Sequence, residues 1–154
     1  MTIYNVLINS NNRVAGGLTT SSSRYYFNWG IMEEGEYLVT WGFTSSNINT
    51  TVNKIGLVSI NLGQSNVYTA SSSNTRASTT NIIGSIIPNE NDVSSFLYGD
   101  RNTNGVIRLN QRPQSNEFTV EITSLDNLLW VDSVGVPITE YLLSLNFERI
   151  DGKK

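Results

Sequence analysis

The sequence predicts an all-β domain, a sandwich or barrel of eight or nine short strands, and three observations carry that expectation. Apolar residues recur with period two, the mark of a strand with one face buried. No segment of ten or more residues carries an apolar repeat near 3.6, so no helix is expected. Between the alternating runs lie pieces crowded with Asn, Ser, Gly and Asp, among them NSNNRVAGG, MEEGE, TSSNINTTVN, ASSSNTRASTTN, PNEND, DRNTNG and QRPQS. Those are the residues that turn a chain.

In chain order, IYNVLI (3–8) is the first strand candidate and RYYFNW (24–29) the second. Alternation in the second places Tyr25, Phe27 and Trp29 on a core face, with Tyr26 and Asn28 opposite. EYLVTWGF is a clear strand in which Tyr37, Val39, Trp41 and Phe43 share one face and Leu38, Thr40, Gly42 and Thr44 the other. KIGLVSINL (54–62), NIIGSII (81–87), SSFLY (94–98) and VIRL (106–109) follow, with NVYT and NLLWV as short additions. NEFTVEI sets Phe118, Val120 and Ile122 against Glu117, Thr119 and Glu121. The closing TEYLLSLNFERI sets Tyr141, Leu143, Leu145 and Phe147 against Leu142, Ser144, Asn146 and Glu148. The polar tracts TTSSSR (19–24) and TASSSNTRASTTN (69–81) read as surface loops joining strands.

A chain of 154 residues suits one domain, here 1–154, with a short tail from about residue 151. His and Cys are both absent. Thiol nucleophiles, disulfides, zinc sites built on nitrogen and sulfur, and imidazole bases are therefore excluded. The net charge of −3 arises from charges scattered singly, with no basic stripe to neutralise phosphates, so no specific nucleic acid is expected as a partner. No apolar run reaches bilayer length, and MTIYNVLINSNN lacks the basic and apolar regions of a signal peptide. Synthesis in the cytoplasm and no membrane span are the expectations. The chain contains 20 Asn, 19 Ser and 15 Thr. Such a surface is polar without being charged, and it disfavours helix because these side chains compete for backbone hydrogen bonds or restrict χ1.

Candidate sites are few. Glu33, Glu34 and Glu36 cluster in IMEEGEY, as paired carboxylates for acid–base work would, but they flank Gly35 ahead of a strand and read as a solvated turn. Asp126 and Asp132 bracket NLLWV with no motif joining them to another carboxylate. Serines abound without a His partner or a Gly-x-Ser-x-Gly elbow, and the only lysines are Lys54, Lys153 and Lys154. Phosphate-cradling glycine motifs are absent. Asn49-Thr50-Thr51 matches a glycosylation acceptor, which carries no weight without a secretory signal. The outward face holding Tyr26 and Asn28 could stack against sugar rings.

GDRNTNG (99–105) places Asp100, Asn102 and Asn104 at alternate positions before Gly105, the front half of a calcium loop. Such a loop needs a bidentate Glu at its twelfth position, and Gln111 stands there. The expectation is a hairpin-like turn closed by Asn104-Gly105, with Asp100 bonding backbone amides. No catalytic, cofactor-binding or metal-ligating residue is assigned, no cofactor is expected, and the chain reads as a non-enzyme.

The phrases NVLINSNNRV, EGEYLVTWGF, RPQSNEFTVEI and ITEYLLSLNFERI touch both ends of the chain. They resemble the single jelly-roll penton and minor capsid proteins of large icosahedral double-stranded DNA viruses. The resemblance implies a single jelly-roll β-sandwich of about eight antiparallel strands, at 3–8, 37–44, 55–62, 81–87, 94–98, 105–110, 116–122 and 139–148. RYYFNW would be an additional strand or an edge. It further implies a structural virion protein, a homopentamer at the five-fold vertex that contacts major and minor capsid proteins. The family pattern has no catalytic residues to carry over. The rival expectation is a receptor- or glycan-binding β-sandwich module, a fibre head or lectin-like domain, for which Tyr26 would be the test residue.

Overall fold

A computed structural model describes residues 2–14, 22–46, 55–64, 66–69, 78–79, 81–86, 95–98, 106–125 and 140–150. It is all-β: eleven strands are β1 (Ile3–Asn9), β2 (Ser22–Tyr26), β3 (Tyr37–Ser46), β4 (Gly56–Ile60), β5 (Tyr68–Thr69), β6 (Ser78–Thr79), β7 (Ile82–Ile86), β8 (Ser95–Tyr98), β9 (Ile107–Leu109), β10 (Glu117–Ser124) and β11 (Tyr141–Arg149). One sheet has the order β1-β11-β3-β8, with β9 also on β3; a second has β2-β10-β4-β7; β5 and β6 form a separate ribbon. Every pairing is antiparallel. β8 pairs with Phe43–Ser46 and β9 with Tyr37–Val39, both on the edge of β3 that β11 leaves open. They thus share one strand position, and each main sheet is four positions wide.

The pairing is nested: β1 with β11, β2 with β10, β3 with β8 and β9, β4 with β7, and β5 with β6. Side-chain alternation then decides which face each strand buries. On the inner face of the first sheet, Val6, Leu145 and Trp41 form one cross-strand row and Ile8, Leu143 and Phe43 the next. On the second sheet Val120 and Ile60 face inward in register, as do Ile122 and Val58. The two inner faces merge into a single cluster of buried residues. Burying each large apolar side chain contributes roughly 1.5–3 kcal/mol, so this shared core is what holds the sheets together.

The core faces expected of EYLVTWGF, NEFTVEI and TEYLLSLNFERI are the buried ones. Trp29 lies between the layers, its ring 5.5 Å from both Phe118 of β10 and Phe147 of β11. Tyr25 is buried and Phe27 packs against the core half-covered, while Tyr26 points outward.

Several boundaries differ from expectation for local reasons. β2 spans 22–26 rather than 24–29, because Asn28 bends the chain: its side chain accepts from Gly30 N at 3.0 Å and starts a 3-10 turn over Trp29–Ile31. The strand also begins inside the polar tract at 19–24. Ser22 and Ser23 join it because β10 supplies their ladder. β6 lies within the tract at 69–81 for the same reason, held by β5. Arg24, Tyr25 and Tyr26 of RYYFNW thus belong to an edge strand of the second sheet, and the rest of the phrase leaves it.

β8 and β9 run in the same direction along β3, so the strands flanking GDRNTNG do not form a hairpin with each other. That overturns the hairpin-like turn. Asp100, Asn102, Asn104 and Gly105 themselves lie outside the described residues, as do Asn49, Thr50, Thr51, Lys54, Asp126, Asp132, NLLWV, Lys153 and Lys154. No helix among the described residues is long and apolar enough to cross a membrane.

Alternation also breaks in β7, where Ile83 and Ile86 are both buried. The register slips between Val58 and Ser59, leaving Ile83 as the extra residue of a bulge. Its carbonyl accepts from Trp41 Nε1 of the other sheet at 3.2 Å. The bulge thus supplies the partner that a buried indole N–H needs.

Candidate functional site

Glu33, Glu34 and Glu36 follow the 3-10 turn, in a segment pinned by two tyrosines. Tyr4 Oη accepts from Glu33 N at 3.1 Å, and Tyr37 Oη donates to the Glu33 carbonyl. Each carboxylate then meets a different arginine: Glu33 with Arg149, Glu34 with Arg112 at 3.4 Å, and Glu36 with Arg108 at 3.1 Å. Arg112 reaches furthest inward, donating also to the Met32 carbonyl. The turn expected from IMEEGEY is thus a clasp that ties segment 33–36 to β9, β11 and the chain after β9. Its carboxylates face solvent and cations, an arrangement suited to positioning backbone. The arginines carry no sequence signal of this role, because they lie 72 to 116 residues away.

A second polar group is enclosed between the sheets. Tyr25 and Tyr141 meet hydroxyl to hydroxyl at 2.8 Å. Arg13 Nε donates to Ser23 Oγ at 2.8 Å, and Ser10 Oγ accepts from Tyr141 N at 2.9 Å. Burial pushes both phenols above the ordinary tyrosine range; for Tyr141 the neighbouring Tyr25 adds to the rise, while for Tyr25 the bond to Tyr141 opposes it. Among the described residues no buried side-chain nitrogen or oxygen lacks a hydrogen-bond partner. The cluster is internally satisfied and serves as a sheet-to-sheet tie.

The outer face of the second sheet holds a trough of about 350 Å³. It opens where β4 parts from β10. Gly63 has φ +85, a conformation that favours glycine, and the turn around it is locked by Asn61 Oδ1 accepting from Gly63 N and Gln64 Oε1 accepting from Leu62 N. β4 therefore ends at Ile60, while the chain leading into β10 continues alongside the gap. Ser59, Asn61 and Asn81 form one wall; Ser115, Glu117 and Thr119 form the other, with Glu121 at its end. A smaller hollow of about 200 Å³ shares Asn61 and Ser115 and adds Gln111 and Gln114. Tyr26, 64% exposed, stands opposite Glu117 across the β2–β10 ladder. Arg24 pairs with Glu117 at 3.3 Å.

The outer face of the first sheet is different in character. Ile3, Leu7 and Leu142 are exposed there, around an Asn146 to Asn5 side-chain bond of 2.8 Å. Leu7 lies on β1, an edge strand paired only with β11 among the described residues. The opposite edge is guarded. The Asn66 amide mimics a strand against β9, donating to the Val106 carbonyl and accepting from Arg108 N, each at 3.1 Å.

Among the described residues no three acidic side chains converge as metal ligands. Fold and surfaces together define an all-β sandwich with two unlike outer faces and two unlike edges. No protein-family model matches the chain, and no curated protein matches it.

Proposed function

We propose that the sandwich is a single jelly roll and that the chain is a structural virion protein, a penton or minor capsid subunit. It assembles with itself as a pentamer and with neighbouring major and minor capsid proteins. The observation that supports this reading is the nested pairing of strands, first with last and inward to the β5–β6 ribbon. One long hairpin wound on itself produces that order, and the winding is what defines a jelly roll.

The edges add a second support. A closed ring uses heterologous contacts, so one flank of a subunit must match a different flank of the next. Here, among the described residues, β1 pairs only with β11 and presents exposed Ile3 and Leu7 on its outer face, whereas the β9 side is capped by Asn66. An open apolar edge is a template for association, and a ring consumes it. Asn- and Ser-rich surroundings form hydrogen bonds at such contacts without burying unpaired charge. Native mass spectrometry of the purified chain tests the reading: a pentamer supports it, and a strict monomer at every concentration contradicts it.

A further inference from the structure

The trough lies on the second sheet, away from β1 of the first, and its chemistry points to a ligand. We propose that it binds a neutral oligosaccharide that extends over Glu117 to Tyr26, which lies outside the trough's lining and cross-strand from Glu117. Its walls carry hydroxyl, amide and carboxylate groups in close alternation. Amides and carboxylates present paired donors or acceptors in one plane, which matches vicinal hydroxyls on a pyranose ring. Among the described residues, no side-chain hydrogen bond occupies Ser59, Asn81, Thr119 or Glu121. Those groups are available to a ligand.

Charge selects against anionic sugars. Glu117 and Glu121 both line the trough, Arg24 is engaged by Glu117, and Arg112 in the adjoining hollow is engaged by Glu34. Among the described residues, a sialyl or sulfate group would meet carboxylates beside guanidiniums that are already paired. A neutral sugar meets no such repulsion.

Shape and rigidity complete the case. The trough has the volume of a small ligand site, within the roughly 300–1,000 Å³ that such sites span. The adjoining hollow at Gln111 and Gln114 lengthens it, so a linear chain of sugars fits better than a single ring. Tyr26 has its backbone fixed in the β2–β10 ladder and its side chain is 64% exposed, so the ring is accessible to the C–H face of a sugar.

The test is a titration of the full chain, labelled with ¹⁵N, with lactose, maltotriose, chitotriose and 3′-sialyllactose, preceded by a glycan array. The expected result is binding of a neutral oligosaccharide, with shifted amides at 59–61 and 115–121. Tyr26→Ala weakens it about tenfold, as loss of a stacking contact would, and Asn81→Ala, which removes a wall amide that holds no side-chain bond among the described residues, weakens it independently. Leu7→Ala, on the other sheet, leaves it unchanged. No saccharide binding at all, a preference for the sialylated probe, or shifts mapped away from the trough would each overturn the proposal. Saccharide binding is scored whether the chain is monomer or ring, so a failure here is separate from a failure of the assembly reading.

Discussion

The hydroxyls of Tyr25 in β2 and Tyr141 in β11 meet at 2.8 Å, joining the two sheets across 116 residues of sequence. Each ring also stacks within its own layer or on its neighbour, Tyr25 on Phe118 and Tyr141 on Phe43, so a phenylalanine retains the packing. Tyr141→Phe removes one hydrogen bond from the Tyr25 hydroxyl, which keeps Ser23 and Arg13 beside it, and destabilises the fold by about 0.5–1.5 kcal/mol. The double Tyr25→Phe, Tyr141→Phe variant costs less than the two single changes added together. Urea unfolding of the four proteins measures that coupling, and strict additivity would refute the tie.

The same pair sets a limit at high pH. Burial raises both folded-state phenol pKa values above the ordinary value of about 10. Above about pH 10 the unfolded chain loses these protons first, so the folded state binds more of them and stability falls as pH rises. Below that pH the contribution is fully present. Unfolding midpoints are therefore flat with respect to these groups through neutrality and decline above about pH 10. The double phenylalanine variant declines less.

Trp41 tests the bulge. Trp41→Phe removes the donor that reaches the Ile83 carbonyl and is expected to cost about 1–3 kcal/mol from the orphaned acceptor, with a further loss for the smaller ring. Thermal unfolding measures it. A change within about 0.5 kcal/mol of wild type would show that the bond contributes nothing.

The clasp at Glu33, Glu34 and Glu36 is largely solvent-facing, so each single Glu→Gln change costs no more than about 1 kcal/mol and less in high salt. Arg112→Ala costs more, because it also strips a donor from the Met32 carbonyl. Denaturant titrations at low and high salt separate the two cases. Equal and salt-insensitive losses at all four positions would contradict the assignment.

The legible part of the fold was the part written in alternation. Val39, Trp41, Phe118, Val120, Leu143 and Phe147 declare their inward face because neighbours two residues away repeat it. Tyr26 was legible as outward for the same reason. What stayed hidden depends on partners distant in sequence. Ser22 and Ser23 read as loop until β10 pairs with them, and β8 and β9 read as successive strands until both are seated on β3. The three arginines of the clasp give no local sign of their carboxylates. The trough was equally silent, since it arises from β4 ending at Ile60 and turning at Gly63 beside a chain that continues.

Leu7 links surface to assembly. It is 65% exposed on β1, an edge strand among the described residues, so Leu7→Glu changes the subunit's own stability by no more than about 0.5 kcal/mol. The same change places a charge in the proposed ring contact and shifts the chain toward monomer. Circular dichroism melts alongside sizing by light scattering resolve the two effects. Loss of folding, or an unchanged oligomer, would remove β1 from the contact.

Assembly itself is tested most directly by native mass spectrometry of the wild-type chain, with electron microscopy of the same sample. The account predicts a ring of five copies related by five-fold symmetry. A chain that stays monomeric at all concentrations, or closes with three-fold symmetry, would contradict it.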